Sequence, residues 1–555
     1  MKSQQPAYAP AMKGGILSQG SNSLAAGFEC SWQRHLIGLL PIAALYLVLG
    51  FYQIDVQSLW TDEVISVRRT SQAASLLMSS QSPLYFSLLV LWTETAGETE
   101  LALRSLSAVL GLVAIVLVYV VGLRLFNRRI ALVATLIMAT SPYFIWYAQE
   151  VRYITLLIAT SLAMTYSFHR ALSSSTWHWW ALYGFTSALA LFTFLTVVFL
   201  VAAHGLFLLC RTSGRPFLKK WLASQLIVVI LFAAWFIDRT AHRLQAIFSS
   251  RPVVVSSDQG RSRQRVPVTD VVGAIPYTFF TFSTGFSLGP SLKDLHESRS
   301  VDDLLSHAPL VVPVAILFAS LFALGLRRLR REPSMDLFLL LWLGVPVLGV
   351  FTIATITTYH VYNTRYVAMV LPAYLVILAR GIAEFRRPGM QNMALAAVLC
   401  VNGISLSNYY FDPRYGREDA RSAARYLEEA AGSKDIILVV GHPRPLRYYY
   451  KGALPVETID ARGRNSRLVA EKLRKLADRH NRLWLVEIRS HQRDRKAKVK
   501  STLDMLARRG QHKKFPGVDI YAYDPVSSEQ QAVSREQRAE GSELRLVQDH
   551  CKIQR

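Results

Sequence analysis

Charge is scarce in this 555-residue chain: 18% of residues are Asp, Glu, Lys or Arg, against about 25% in a typical water-soluble domain. The few charges crowd into short clusters. Between them lie apolar runs of about 17–25 residues, enough to cross a hydrocarbon core of about 30 Å. Cysteine is scarce too. Cys30, Cys210, Cys400 and Cys551 form no C-x-x-C pair, and Cys210 and Cys400 lie in or beside apolar runs. That pattern argues against a disulfide framework and a cysteine zinc site. A cleavable leader is not expected, because the first apolar run (36–54) is too long and lacks a small-residue cleavage site. Acidic residues are outnumbered, 38 to 62, leaving a net charge of +24. Much of that excess sits in short loops between apolar runs, where Lys and Arg hold loops in the cytoplasm. With no aromatic-basic module in view, the basic balance reads as a surface for anionic lipid and not as a nucleic-acid site.

The chain therefore reads as a polytopic α-helical membrane protein of about eleven spans, at 36–54, 102–123, 130–147, 153–171, 179–193, 195–211, 221–238, 309–326, 336–356, 366–383 and 390–407. Trp179–Cys210 is too long for one crossing and is divided near Phe194 into a tight helical hairpin. The basic loops Arg124–Arg129, His169-Arg170, Arg211–Lys220, Arg327–Arg331 and Arg386-Arg387 then share the cytoplasmic side. Residues 1–34 form a disordered cytoplasmic N-terminus and 35–411 the membrane domain. Its outside segments are 55–101, the turn at Glu150, the loop 239–308 and the turn 357–365. From 412 to 526 hydropathy falls, and helix-like Arg417–Ala431 and Leu468–His480 alternate with strand-like Ile436–Val440, Leu483–Ile488 and Val518–Tyr523. This predicts a small extracytoplasmic α/β domain with a partly parallel sheet. Gly441-His442-Pro443 lacks the glycines that let a backbone approach a pyrophosphate, so no nucleotide site is assigned. Residues 527–555 read as a flexible charged tail.

Leu59-Trp60-Thr61-Asp62-Glu63 follows the first span. Adjacent carboxylates are costly beside lipid; solvated loop charges or a helix cap would be the plainer explanation. Residues 82–92 form a short aromatic helix expected to lie in the membrane interface. Arg104 begins the second span; Ser141-Pro142-Tyr143-Phe144-Ile145-Trp146-Tyr147 leads to Glu150, Arg152 and Tyr153; and the turn Tyr359-His360-Val-Tyr362-Asn363-Thr364-Arg365-Tyr366 lies on the same side. Carboxylates, arginines and tyrosines from distant segments thus meet one membrane face. His204, inside a span, reads as a helix-to-helix hydrogen-bonding group. Tyr448-Tyr449-Tyr450 fits either sugar stacking or, at helical spacing, a place in a core or a domain interface.

In this order, W-x-D-E, P-L-Y, L-x-L-R-S-L-S-A, S-P-x-x-x-W-Y-x-Q-E-x-R-Y and R-Y before Pro372 resemble the dolichyl-phosphate-mannose–protein mannosyltransferase-like group of the GT-C membrane glycosyltransferases, which also holds the aminoarabinose transferases. The resemblance runs from about 36 to 430. It implies a GT-C-like fold, with Asp62 at the catalytic acidic position and Glu63 as its partner. It further places Glu150, Arg152 and Tyr153 in the second outside turn and Arg365 with Tyr366 in a later one. Many relatives have His-Pro-Pro-Leu-Tyr where this chain has Gln81-Ser82-Pro83-Leu84-Tyr85, so that histidine has no counterpart here.

The expected activity is transfer of a sugar from a polyprenyl-phosphate donor to an acceptor hydroxyl outside the cytoplasm, by inverting single displacement. A phosphate is already a good leaving group, so the chemistry calls for a base, Asp62, assisted by Glu63, and for cations, Arg152 and Arg365, on the phosphate. Trp60, Tyr85, Glu150, Tyr153, His360 and Tyr366 are expected to line the substrate cavity. No cofactor is assigned, and a divalent metal is left open. The expected partners are the lipid donor, a glycan, lipid or protein acceptor and the bilayer, in a bacterial inner membrane with the N-terminus inside and the C-terminus outside. A transporter or flippase, or a non-catalytic scaffold, are the alternatives. Transporters place ionisable groups near the midplane and often repeat their architecture; these spans are nearly free of charge, and no repeat is evident.

Overall fold

The computed structural model describes residues 20–70, 81–174, 176–248, 273–291, 306–327, 333–356, 362–461, 466–490, 494 and 497–525. The first helix, α1 (Gly20–Phe51), leads to a loop carrying α2 (Thr61–Thr70) and α3 (Pro83–Ala96). Next come α4 (Glu100–Leu125), α5 (Arg128–Ala139), α6 (Pro142–Ala148), α7 (Ile154–Ser174), α8 (Trp177–Thr193), α9 (Val198–Cys210) and α10 (Leu218–Phe248). The helical part closes with α11 (Ala274–Thr284), α12 (Ala308–Arg327), α13 (Pro333–Ile356), α14 (Leu371–Ala383) and α15 (Pro388–Phe411).

Among the described residues six helices are long and apolar enough to cross a membrane, or seven if the bent pair α5–α6 counts as one span. The eleven predicted segments all coincide with helices, but α1 and α9 offer shorter apolar stretches than a full crossing, and α7 and α8 are not among the helices long and apolar enough for one. The helix breaks follow local chemistry. Pro142 has no N–H to donate to the turn before it, so α5 cannot continue through it. Ser141 instead caps α6 by accepting from the Phe144 N–H, and the axes diverge by 59°. Asn127 and Thr99 cap α5 and α4 in the same way. The hairpin break falls at Phe194, which is extended at φ −163°.

Tyr85, Phe86 and Leu89 of α3 are buried in the protein core, packed against α4, while Leu91 on the other side of the helix is 60% exposed. Beyond α15, α16 (Ala420–Ala430) leads into a five-stranded sheet of order β2-β1-β3-β5-β4: β1 (Ile436–Gly441), β2 (Val456–Ile459), β3 (Leu483–Ile488), β4 (Ala507–Phe515) and β5 (Val518–Pro525). β1 pairs in parallel with β2 and β3, and β5 pairs antiparallel with β3 and β4. One face is covered by α16 and α17 (Pro443–Tyr449), the other by α18 (Ser466–Ala477) and α19 (Lys498–Leu506). The two edge strands, β2 and β4, are additional to the three expected; β4, Ala-Arg-Arg-Gly-Gln-His-Lys-Lys-Phe, is an exposed edge strand that needs no apolar alternation, and its lysines discourage edge-to-edge pairing.

Close helix packing rests on small residues, as is usual where lipid supplies no hydrophobic drive between helices. A Cβ on Gly325 of α12 would lie 2.1 Å from the Ile377 carbonyl oxygen of α14, and one on Gly381 would lie 1.9 Å from that of Leu321. Gly325→Val or Gly381→Val should therefore sharply reduce the folded fraction recovered in detergent, judged by size-exclusion chromatography. Gly344→Ala, at a position with open space, should not.

Candidate active site

The first loop brings two adjacent carboxylates to the N-terminal turn of α2, where the helix dipole favours anions. They point apart. Glu63 turns inward and is fully buried. Its Oε1 accepts from Arg104 Nε (2.9 Å) and the Val151 N–H (3.0 Å); its Oε2 accepts from Arg104 Nη2 (2.8 Å), Arg417 Nη1 (3.0 Å) and the Trp60 N–H (3.3 Å). Burial opposes its ionisation, but the Arg104 and Arg417 charges outweigh this and hold its pKa below the ordinary value. With both oxygens engaged, Glu63 has none to offer a substrate. Its expected role as catalytic partner is replaced by that of an anchor. Arg104 extends the anchor by donating to the carbonyls of Ile54 (2.7 Å), Gln57 (2.8 Å) and Ser58 (3.2 Å), which pins the chain leading to Asp62.

Asp62 faces outward, its side chain 26% exposed. Its Oδ2 accepts from Arg365 Nη1 at 2.7 Å and Arg152 Nη2 at 3.3 Å. Burial favours the neutral acid, yet the charges of Arg152 and Arg365, with Arg489 adding to them, bring its pKa down to about 2. Both guanidinium groups lean over the ring that follows them in sequence, Arg152 over Tyr153 at 5.6 Å and Arg365 over Tyr366 at 5.4 Å. Phe194 stacks between those two rings, with centroid distances of 4.7 Å and 5.5 Å. The break that ends α8 thus supplies the middle layer of an aromatic stack that holds the two cations side by side.

Glu150 completes the cluster. It is fully buried, and among the described residues neither carboxylate oxygen accepts a hydrogen bond; Arg152 Nε stands 3.9 Å away. Burial raises its pKa to about 7, against the opposing pull of Arg417 and Arg152 and with a further push from Glu63 and Asp62.

The structure therefore gathers Trp60, Asp62, Glu63, Glu150, Arg152, Tyr153, Arg365 and Tyr366 in one region. Tyr85 is a support and not a cavity wall: its buried hydroxyl meets Ser107 Oγ at 3.0 Å, and Ser107 donates to the Arg152 carbonyl at 3.2 Å. Among the described residues, the buried indole N–H of Trp60 has no hydrogen-bond partner. His360 lies outside the described residues. Among those residues no three His, Cys, Asp or Glu side chains come together as a metal-binding group. His204 bonds the Tyr183 hydroxyl at 3.2 Å, the helix-to-helix role expected of it. Sequence reasoning missed Arg417 and Arg489 as site residues. Arg104 was visible in its L-x-L-R-S-L motif, without a partner to explain it.

Residues 80–237 match the family model described as dolichyl-phosphate-mannose-protein mannosyltransferase. The fold is similar to that of ArnT from Cupriavidus metallidurans bound to undecaprenyl phosphate: TM-score 0.52, 14% identity, over 89% of this chain and 99% of that one. The Archaeoglobus fulgidus oligosaccharyltransferase tethered to an acceptor peptide is also similar, with TM-score 0.50 and 12% identity over 89% of this chain and 74% of that one. No curated protein sequence matches the chain.

Glu150 sets a pH signature. Its pKa rises from an ordinary 4.5 to about 7 on folding, so between those values the folded state holds a proton that the unfolded state has released. Stability therefore falls as pH rises through this window, and the full penalty persists above it. Glu150→Gln should raise the Tm by several degrees over wild type at pH 8, with the gap narrowing at pH 5, as read by thermal unfolding in detergent. A difference that does not change with pH would contradict the assignment. The chain thus resembles the membrane glycosyltransferases of the GT-C group, by the mannosyltransferase sequence pattern of residues 80–237 and by the fold it has in common with ArnT.

Proposed function

We propose that this chain is a membrane glycosyltransferase that moves a sugar from a polyprenyl-phosphate donor to an acceptor hydroxyl at the extracytoplasmic face. The observation that carries this reading is the Asp62 carboxylate held between Arg152 and Arg365 on an aromatic stack. The undecaprenyl phosphate bound by the similar ArnT supports a lipid-phosphate donor.

In the resting arrangement Asp62, with a pKa of about 2, is a weak base. A donor phosphate entering the site competes for both guanidinium groups, whose planar forks fit two phosphate oxygens. As those charges turn to the phosphate, burial dominates and the carboxylate's proton affinity climbs. The acceptor hydroxyl gives its proton to Asp62, and its oxygen attacks the anomeric carbon from the face opposite the phosphate. The carbon–oxygen bond to phosphate breaks, its electron pair leaving on a phosphate oxygen. The single negative charge of the diester becomes nearly two on the departing polyprenyl phosphate, and the paired guanidinium groups oppose that growing charge. One displacement of this kind inverts the anomeric centre.

A second base is favoured by its own geometry. Glu150 accepts no hydrogen bond among the described residues, and a pKa near 7 suits general-base work at neutral pH. Turnover of a labelled polyprenyl-phosphate sugar separates the two. If Asp62 is the base, Asp62→Asn lowers kcat by about 10²–10⁴-fold and Glu150→Gln far less; the reverse order, with wild-type kcat rising through pH 7, gives the role to Glu150. Wild-type turnover by both variants would overturn the reading. A reporter fused after Gly416 should register outside the cytoplasm, and a cytoplasmic signal would place the site on the wrong face.

A further inference from the structure

The segment after α15 reaches back into the site. Arg417 is buried, and besides Glu63 its guanidinium donates to the carbonyls of Gln149 (3.1 Å) and Trp146 (3.4 Å) and lies 5.1 Å over the Trp146 ring. Its own N–H donates to Gln57 Oε1 at 3.2 Å. One side chain thus ties together the loop that carries Asp62 and the turn that carries Glu150 and Arg152.

Its neighbours grip the same loop. Asp419, the cap of α16, accepts from Ser58 Oγ at 2.9 Å. Tyr449 at the end of α17 accepts from the Leu59 N–H at 2.7 Å and donates to Glu100 at 2.6 Å. Arg421 donates to the Asp55 carbonyl at 3.0 Å and pairs with Glu100. Just past β3, Arg489 lies 5.0 Å over the Trp60 ring and pairs with Glu418. Its backbone sits in the left-handed region at φ +49°, a strained conformation that surrounding contacts must enforce. Apart from Glu100, these bonds fall on residues 55–63 and 146–150, the two segments that carry Asp62 and Glu150.

We propose that the C-terminal α/β domain is a working part of the candidate active site, with Arg417 as the residue that positions Asp62 through Glu63 and the 146–150 turn. This rests on the reading of Asp62 as the reacting carboxylate. Glu63 is adjacent to Asp62 on the first turn of α2, so a shift of the anchor moves the carboxylate against Arg152 and Arg365. Removing Arg417 takes one of two guanidinium partners from a buried carboxylate, and a displacement of about 1 Å in a reacting group can cost about 10²-fold in rate.

The test uses the full-length protein in detergent. Arg417→Met should lower kcat about 10²-fold while KM for the polyprenyl-phosphate sugar stays within about 3-fold, and Arg417→Lys should recover part of the rate. If Arg417→Met is not recovered folded, Tyr449→Phe, which leaves the buried arginines in place, decides: kcat should fall several-fold at an unchanged Tm. Wild-type kcat in the folded Arg417→Met protein, or in Tyr449→Phe where that variant decides, overturns the proposal even when Asp62→Asn is inactive. An active Asp62→Asn overturns instead the reading beneath it.

Discussion

A buried carboxylate between two buried guanidinium groups organises this protein. Glu63, Arg104 and Arg417 come from the loop after α1, the start of α4 and the segment beyond α15. Removing one partner from a buried ion pair typically costs about 3–5 kcal/mol, because a charge is left in a medium that cannot solvate it. The chain is thereby committed to one arrangement of three distant segments. The orientation of α2 and the turn through Val151 follow from where that cluster sits.

The site above the cluster is built on a division of labour between neighbours. Glu63 is fully engaged and fixed; Asp62, one residue earlier, is half-open and held only by cations that a phosphate can claim. Glu150 carries the opposite imbalance: it is enclosed, accepts no hydrogen bond among the described residues and is inclined to keep its proton. Two carboxyl groups pushed to opposite ends of the titration range are the pattern expected where proton transfer is the task. The Tyr153–Phe194–Tyr366 stack lets two like charges stand side by side, since each ring offers its negative face to a guanidinium.

Much of this was legible in the sequence because hydropathy and motif order speak directly to it. Apolar runs gave the helices, and the ordered motifs brought Asp62, Arg152 and Arg365 to one face. The break at Phe194 was placed by length alone, yet nothing in the sequence announced its stacking role. Glu63 was misjudged because adjacent residues on a helix point about 100° apart, and spacing does not say which one faces the core. Arg417 was hidden for a different reason: its partner lies 354 residues away, and no local pattern records such a pairing. Tyr85 looked like a cavity residue because aromatic side chains serve both purposes; only the Ser107 hydrogen bond shows that it braces Arg152.

The central claim is that Asp62 and a lipid phosphate compete for the same two arginines. The most direct measurement is a structure of the protein with a polyprenyl phosphate bound. The account predicts phosphate oxygens about 3 Å from the guanidinium groups of both Arg152 and Arg365, with Asp62 released from at least one of them. A phosphate seated elsewhere, with Asp62 still bonded to both arginines, would contradict it.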